Sequence, residues 1–185
     1  TELSPLGRAR PRIDARRMAR RELTRIAARD GLGLPVYLTR PAGTGPWPTV
    51  VLAHGGPWVR GVELSWSAQA QFLASRGYLV VEPEFRGSAG YGQRLHAAGF
   101  QHWGLKMQDD LADAARWAIA QGLADARRVA IMGTSYGGYA ALMGLVRDGG
   151  LYRCGIAQAA VSDLDLLFSL DESDTPNAVL RDGLP

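Results

Sequence analysis

The chain has 185 residues, 46% of them hydrophobic and 21% charged, with a net charge of +3 and a single cysteine. This length makes one domain the default, the composition is that of a soluble globular protein, and one cysteine excludes an internal disulfide. No apolar run reaches the ~18 residues of a membrane span, so we expect a soluble protein without a membrane partner, cytoplasmic rather than periplasmic.

Residues 1–22 are rich in Arg and Pro and show no steady apolar period, so they read as a linker ahead of a domain at 23–185. Residues 1–29 hold nine arginines against Glu2, Asp14 and Glu22, a charge of +6, which leaves −3 on the rest of the chain. The basic excess thus belongs to the leading segment. It reads as a solvated linker or inter-domain face, and no nucleic-acid partner is expected.

Leu23–Arg29 and Leu32–Thr39 flank Asp30-Gly31, the signal of a hairpin. Pro35 suggests that its second arm lies at a sheet edge. A turn-rich stretch follows at 41–46. Thr49–Ala53 is a short apolar strand ending at His54-Gly55-Gly56-Pro57. Ser65–Arg76 reads as a helix stopped by Gly77, and Tyr78–Val81 as the next strand. Leu105–Gln121 is a helix with Leu111, Ala115, Ala118 and Ile119 on one face. Val129–Met132 is a strand, Tyr136–Val146 a helix and Gly155–Ala160 another buried strand, with Cys154 as a small core residue. Alternating strands and helices predict an α/β fold with a mainly parallel sheet and helices on both faces.

The chemistry centres on Gly133-Thr134-Ser135-Tyr136-Gly137-Gly138-Tyr139, which links a predicted strand to a predicted helix. G-x-S-x-G in that context is a nucleophile elbow: the serine sits on a strained turn so that its hydroxyl projects from the sheet. Gly133 and Gly137 lie beside the turn, where a Cβ would clash. About 0.1 matches to the bare pattern are expected by chance, so the strand–turn–helix setting carries the weight. A serine hydroxyl needs a base, and the developing oxyanion needs preorganised donors. One donor is the N–H after the nucleophile, on Tyr136, and the other comes from the glycine-rich loop after His54, at Gly56.

These segments resemble the catalytic domain of the prolyl oligopeptidase family of serine peptidases, especially its acylaminoacyl-peptidase and dipeptidyl-peptidase-like branch. The resemblance rests on His54-Gly55-Gly56-Pro57-Trp58, on Phe85-Arg86-Gly87-Ser88-Ala89-Gly90-Tyr91-Gly92, and on Trp103-Gly104, Asp109-Asp110, Asp113-Ala114 and the 133–139 elbow. It implies an α/β-hydrolase fold and a serine peptidase acting on short peptides. Ser135 would be the acyl-forming nucleophile, with Gly56 and Tyr136 as oxyanion donors and no metal or organic cofactor. His54 and Arg86 are candidate pocket residues, although Arg86 reads equally as a loop brace. Trp58, Trp103 and Tyr139 read as packing residues, and Asp109, Asp110 and Asp113 as complements to the positive end of a helix. His96 and His102 are not placed to act as the base.

One departure stands out. The order along α/β-hydrolase chains is Ser, then Asp or Glu, then His, whereas His54, His96 and His102 all precede Ser135. Asp163, Asp165, Asp171, Asp174 and Asp182 follow it, too early for the family's acid. The expectation is therefore a fragment that starts after the family's N-terminal β-propeller, lacks the last strands, and ends before the triad Asp and His. A carboxylesterase and a non-catalytic hydrolase-fold module remain open as alternatives.

Overall fold

Asp30 and Gly31 turn the chain back on itself, with the Leu32 N–H donated to the Asp30 side chain at 3.3 Å and Gly31 at φ +83°. Only a residue without Cβ takes that φ without strain. The arms are β1, Arg21–Ala27, and β2, Gly33–Thr39, paired antiparallel from Arg21↔Thr39 to Ala27↔Gly33. The first strand thus begins two residues before the boundary expected at 23. The computed structural model describes residues 10–167, with Ser4 and Gly7, so Asp171, Asp174 and Asp182 lie outside the described residues.

Further along come β3 (Trp47–Ala53), α1 (Ala68–Ser75), β4 (Leu79–Pro83), α2 (Gln93–Ala97), α3 (Lys106–Ala120), β5 (Ala124–Thr134), α4 (Tyr136–Arg147) and β6 (Cys154–Gln158). Gly77 ends α1 at φ +87°, as expected, but the helix starts three residues later than the expected Ser65, because Ser67 caps it by accepting the Ala70 N–H at 3.2 Å. Strand β5 runs further back than its apolar core at 129–132, because Ala124 pairs with Trp47 and the chain bulges through residues 125–128 before Val129 pairs with Thr49.

The strands lie in the order β1-β2-β4-β3-β5-β6. β3 pairs parallel with both β4 and β5, and β5 with β6, while β1–β2 and β2–β4 are antiparallel. Successive side chains alternate between faces. Val51, Val81 and Ile131 meet Leu111, Ala115 and Ala118 of α3 and Ala140 and Ala141 of α4. Their neighbours Leu52, Val80 and Met132 meet Ala70 and Leu73 of α1. Helices therefore cover both faces, as expected.

Three expectations need correction. Pro35 is not at an edge, because β2 lies between β1 and β4. Its carbonyl accepts the Glu84 N–H at 2.8 Å. Its missing donor faces the same way, beyond the last β2–β4 pair at Val36↔Pro83, so no ladder bond is lost. The segment expected as a buried strand at 155–160 is β6, largely exposed because it pairs on one side alone among the described residues. For the same reason Cys154 is exposed rather than part of the core.

Candidate active site

The C-terminal end of β5 places Ser135. It is the single residue between β5 and α4, exposed, at φ 59° and ψ −122°. A non-glycine residue there carries strain of about 1–3 kcal/mol, which surrounding structure must hold. Here the Ser135 N–H donates to Gln158 O at 3.0 Å, and its carbonyl accepts from Gly138 and Tyr139 at 2.9 and 3.1 Å. A Cβ on Gly133 would lie 2.3 Å from Gly137 O, and one on Gly137 2.1 Å from Ala53 O. The two glycines let β5, α4 and the end of β3 meet at backbone distance.

Gly55 brings the loop after β3 to the elbow: its ideal Cβ position is 3.1 Å from Thr134 O and 3.5 Å from Ser135 Cβ. Among the described residues, the Gly56 N–H donates to no backbone acceptor. The Tyr136 N–H opens α4, where helical geometry provides no acceptor. Two amides without partners thus lie on segments that converge beside the exposed serine. The Tyr136 ring points the other way, fully buried against Trp103 at 4.6 Å and Phe85 at 5.4 Å. Trp103, itself 3% exposed, and Tyr139 extend this aromatic cluster.

The three histidines lie elsewhere. The His54 side chain is 7% exposed, with Nδ1 2.7 Å from Gly55 O and Nε2 2.9 Å from Ser88 Oγ. It borders a 220 Å³ cavity with Gly55, Glu82 and Thr134. His96 Nδ1 is 2.9 Å from Gly87 O, and His102 is depressed by burial and by Lys106. None shares a hydrogen bond with Ser135 among the described residues. Nor do three or more His, Cys, Asp or Glu side chains there converge to hold a metal ion.

Arg86 lies 3% exposed under the site. Its Nε and Nη2 donate to Asp110 at 2.8 and 2.7 Å, and Nη1 and Nη2 to Asp30 at 2.9 and 3.1 Å. Four of the guanidinium's five N–H groups go to carboxylates, which is the arrangement of a brace. Asp110 also accepts the Arg86 N–H at 2.8 Å. The helix-end reading of the aspartates is likewise incomplete. Asp109 is in the first turn of α3, yet it accepts from Arg29 and Arg147, and Asp113 accepts from Arg29. The Arg86 guanidinium pulls the Asp30 carboxyl down to about 2. Asp110→Ala leaves a buried guanidinium without its main partner, at an expected cost of about 3–5 kcal/mol. Asp30→Ala removes a carboxylate 36% exposed, at about 1 kcal/mol or less. Urea unfolding of the two variants checks this order.

Glu82 and Glu84 were missed by the sequence reading. The available signal was two acids bracketing Pro83 in an otherwise apolar strand end, where buried charges need partners. Glu82 pairs with Arg21 at 2.9 Å, and burial lifts its carboxyl to about 6. Burial raises Glu84 too and lowers His54 to about 4. These shifts oppose one another. An unfolded histidine takes its proton near 6.5, so stability falls as pH drops from 6.5 to 4, by about 3 kcal/mol. The folded chain instead holds the extra Glu82 proton between 4.5 and 6, so stability falls as pH rises there, by about 2 kcal/mol. The expected result is a shallow profile from pH 4.5 to 6, and a steeper acid loss in Glu82→Gln, read from urea midpoints across that range.

Fold and site define the class: an α/β-hydrolase carrying a nucleophile elbow. A sequence model of the prolyl oligopeptidase family matches residues 64–181, and the chain belongs to that family. It is 40% identical over 176 residues to dipeptidyl aminopeptidase BIII of Pseudoxanthomonas mexicana, spanning 90% of this chain and 25% of that protein. Among solved structures it resembles a puromycin-hydrolyzing peptidase of Mycobacterium tuberculosis, with a TM-score of 0.81 and 25% identity over 91% of this chain and 26% of the other. An acylaminoacyl peptidase in complex with Z-Gly-Gly-Phe-chloromethyl ketone aligns with a TM-score of 0.74 and 26% identity, over 82% and 25% of the two chains. The chain thus spans about a quarter of the length of these relatives. Among the described residues, no helix is long and apolar enough to cross a membrane.

Proposed function

We propose that this chain is the nucleophile-bearing part of a serine peptidase that cleaves short peptides through an acyl-enzyme on Ser135. One observation carries the reading: Ser135 stands exposed at φ 59° as the sole link between β5 and α4. Its Oγ attacks the peptide carbonyl carbon, and its proton passes to a histidine base. The carbonyl oxygen becomes an oxyanion that the Gly56 and Tyr136 N–H groups accommodate. Collapse expels the amine, which takes the proton, and water then releases the acyl group.

The base and its orienting acid are assigned to the length that the relatives have and this chain does not. Among the described residues, no hydrogen bond joins His54, His96 or His102 to Ser135, and the triad order calls for a later histidine. A β-propeller ahead of this domain would restrict entry to short peptides, which is the substrate class we assign.

The test is a fluorophosphonate probe on the full-length protein, with an aminoacyl amide and a short acyl ester as substrates. Labelling of Ser135 with amide cleavage is expected. Failure to label describes a non-catalytic module, and ester cleavage without amide cleavage describes an esterase; either result overturns the proposal.

A further inference from the structure

The 220 Å³ cavity beside the elbow serves no step of the proposed reaction. Thr134 and Gly55 join it to the site. Thr134 immediately precedes the nucleophile, and the ideal Cβ position of Gly55 is 3.5 Å from Ser135 Cβ. A peptide advances about 3.5 Å per residue, so a substrate residue one or two positions from the scissile bond can send its side chain to this cavity. The volume is below the ~300 Å³ at which pockets take whole ligands, and it suits one side chain. Thr134 and Gln69 stand exposed at the rim, while Leu52, Val62 and Glu82 are buried behind them.

The wall has one charge. Glu82 is its single carboxylate, and none of its side chains is a cation near pH 7, where burial keeps His54 neutral. Glu84, the other buried acid nearby, is turned to the loop and accepts the Val62 N–H at 2.5 Å and the Gly61 N–H at 3.3 Å. Glu82 is less well served. Its side chain is 5% exposed, and Arg21 Nη2 lies 2.9 Å from Oε2, yet Oε2 has no well-aligned hydrogen bond among the described residues. Arg21 is not part of the wall, so whatever enters the cavity meets the carboxylate first.

A buried carboxylate with spare acceptor capacity favours a guest that brings N–H donors and positive charge. Leu52, Ala53 and Val62 offer apolar surface to the methylenes of such a side chain. We propose that this cavity is a subsite for a lysine or arginine side chain of the peptide substrate, with Glu82 as its counter-ion. The two halves of a peptide leave the scissile carbon in opposite directions, so the cavity serves one half alone. Its purpose rests on the proposed acyl transfer, but its occupancy is measurable without any turnover.

The test measures peptide binding to the full-length protein carrying Ser135→Ala, which holds substrate without cleaving it. Matched peptides carry lysine, norleucine or glutamate in turn on the acyl half and on the leaving half. In one half lysine should bind about tenfold tighter than norleucine or more, the scale of a desolvated charge pair, and glutamate weaker than either. No lysine preference in either half overturns the proposal. An equal preference in both halves describes a diffuse field rather than a cavity and also overturns it. Glu82→Gln should abolish the preference, but it leaves the buried Arg21 without its counter-charge and lowers stability. Gln69→Lys therefore tests the same cavity from its exposed rim with the Glu82–Arg21 pair intact, and should cut the ratio of lysine-peptide to norleucine-peptide affinity about tenfold. A ratio unchanged in Gln69→Lys, or retained in folded Glu82→Gln, overturns the assignment. If the parent protein shows no Ser135-dependent turnover, the peptidase reading fails, and the binding ratios still decide the subsite.

Discussion

Ser135→Ala is expected to lower kcat of the full-length protein by about a millionfold, to the level left by binding and oxyanion contacts. The size follows from how the nucleophile acts. Without Oγ no acyl-enzyme forms, and the base has no proton to take. The amides of Gly56 and Tyr136 stay in place, because the φ of 59° at position 135 is held by bonds from Gln158, Gly138 and Tyr139 rather than by the hydroxyl. Ser135 makes no side-chain cap to α4, so alanine removes no helix bond and the unfolding midpoint should barely move. KM should change little. Steady-state kinetics on the purified variant, with active-site titration by a fluorophosphonate, give the result. Turnover within tenfold of the parent would mean that another group is the nucleophile.

Gly137→Ala should be among the most damaging single-methyl additions in the fold. The new Cβ would lie 2.1 Å from Ala53 O, 2.9 Å from Ala53 C and 3.0 Å from His54 O. All three are backbone atoms at the end of β3, which is held by β4 on one side and β5 on the other. No rotamer relieves the contact, so α4 must move away from the sheet or the elbow must deform. Overpacking of this kind costs about 3 kcal/mol or more. A deformed elbow also carries the Tyr136 amide away from Gly56, so residual folded protein should resist fluorophosphonate labelling. Gly122→Ala is the control. Gly122 has φ +68° but nothing within 4 Å of a Cβ, so backbone strain of about 1–2 kcal/mol is the whole expected cost. Equal unfolding midpoints for the two variants would contradict the backbone contact at the elbow.

The features legible in the residue order were local. The Asp30-Gly31 hairpin, the stop of α1 at Gly77 and the strand–serine–helix junction each depend on residues within a few positions. Features that failed to show depend on strand order. Pro35 reads as an edge residue until β4 is seen to lie beyond β2. Cys154 reads as core until β6 proves to pair on one side alone among the described residues. The 125–128 stretch joins β5 without any apolar period to announce it.

From its amino-acid order alone, this chain declared a nucleophile elbow, a glycine-rich donor loop and a family, because steric demands at tight turns select residue types at fixed short spacings. Tertiary structure alone decided that Arg86 answers to Asp110 and Asp30, 24 and 56 positions away. It alone decided that Glu84, Phe85 and Ser88 grip the loop at His54. Buried polar groups must find partners wherever the sheet's crossovers deliver them, and those crossovers leave no periodic trace in the chain.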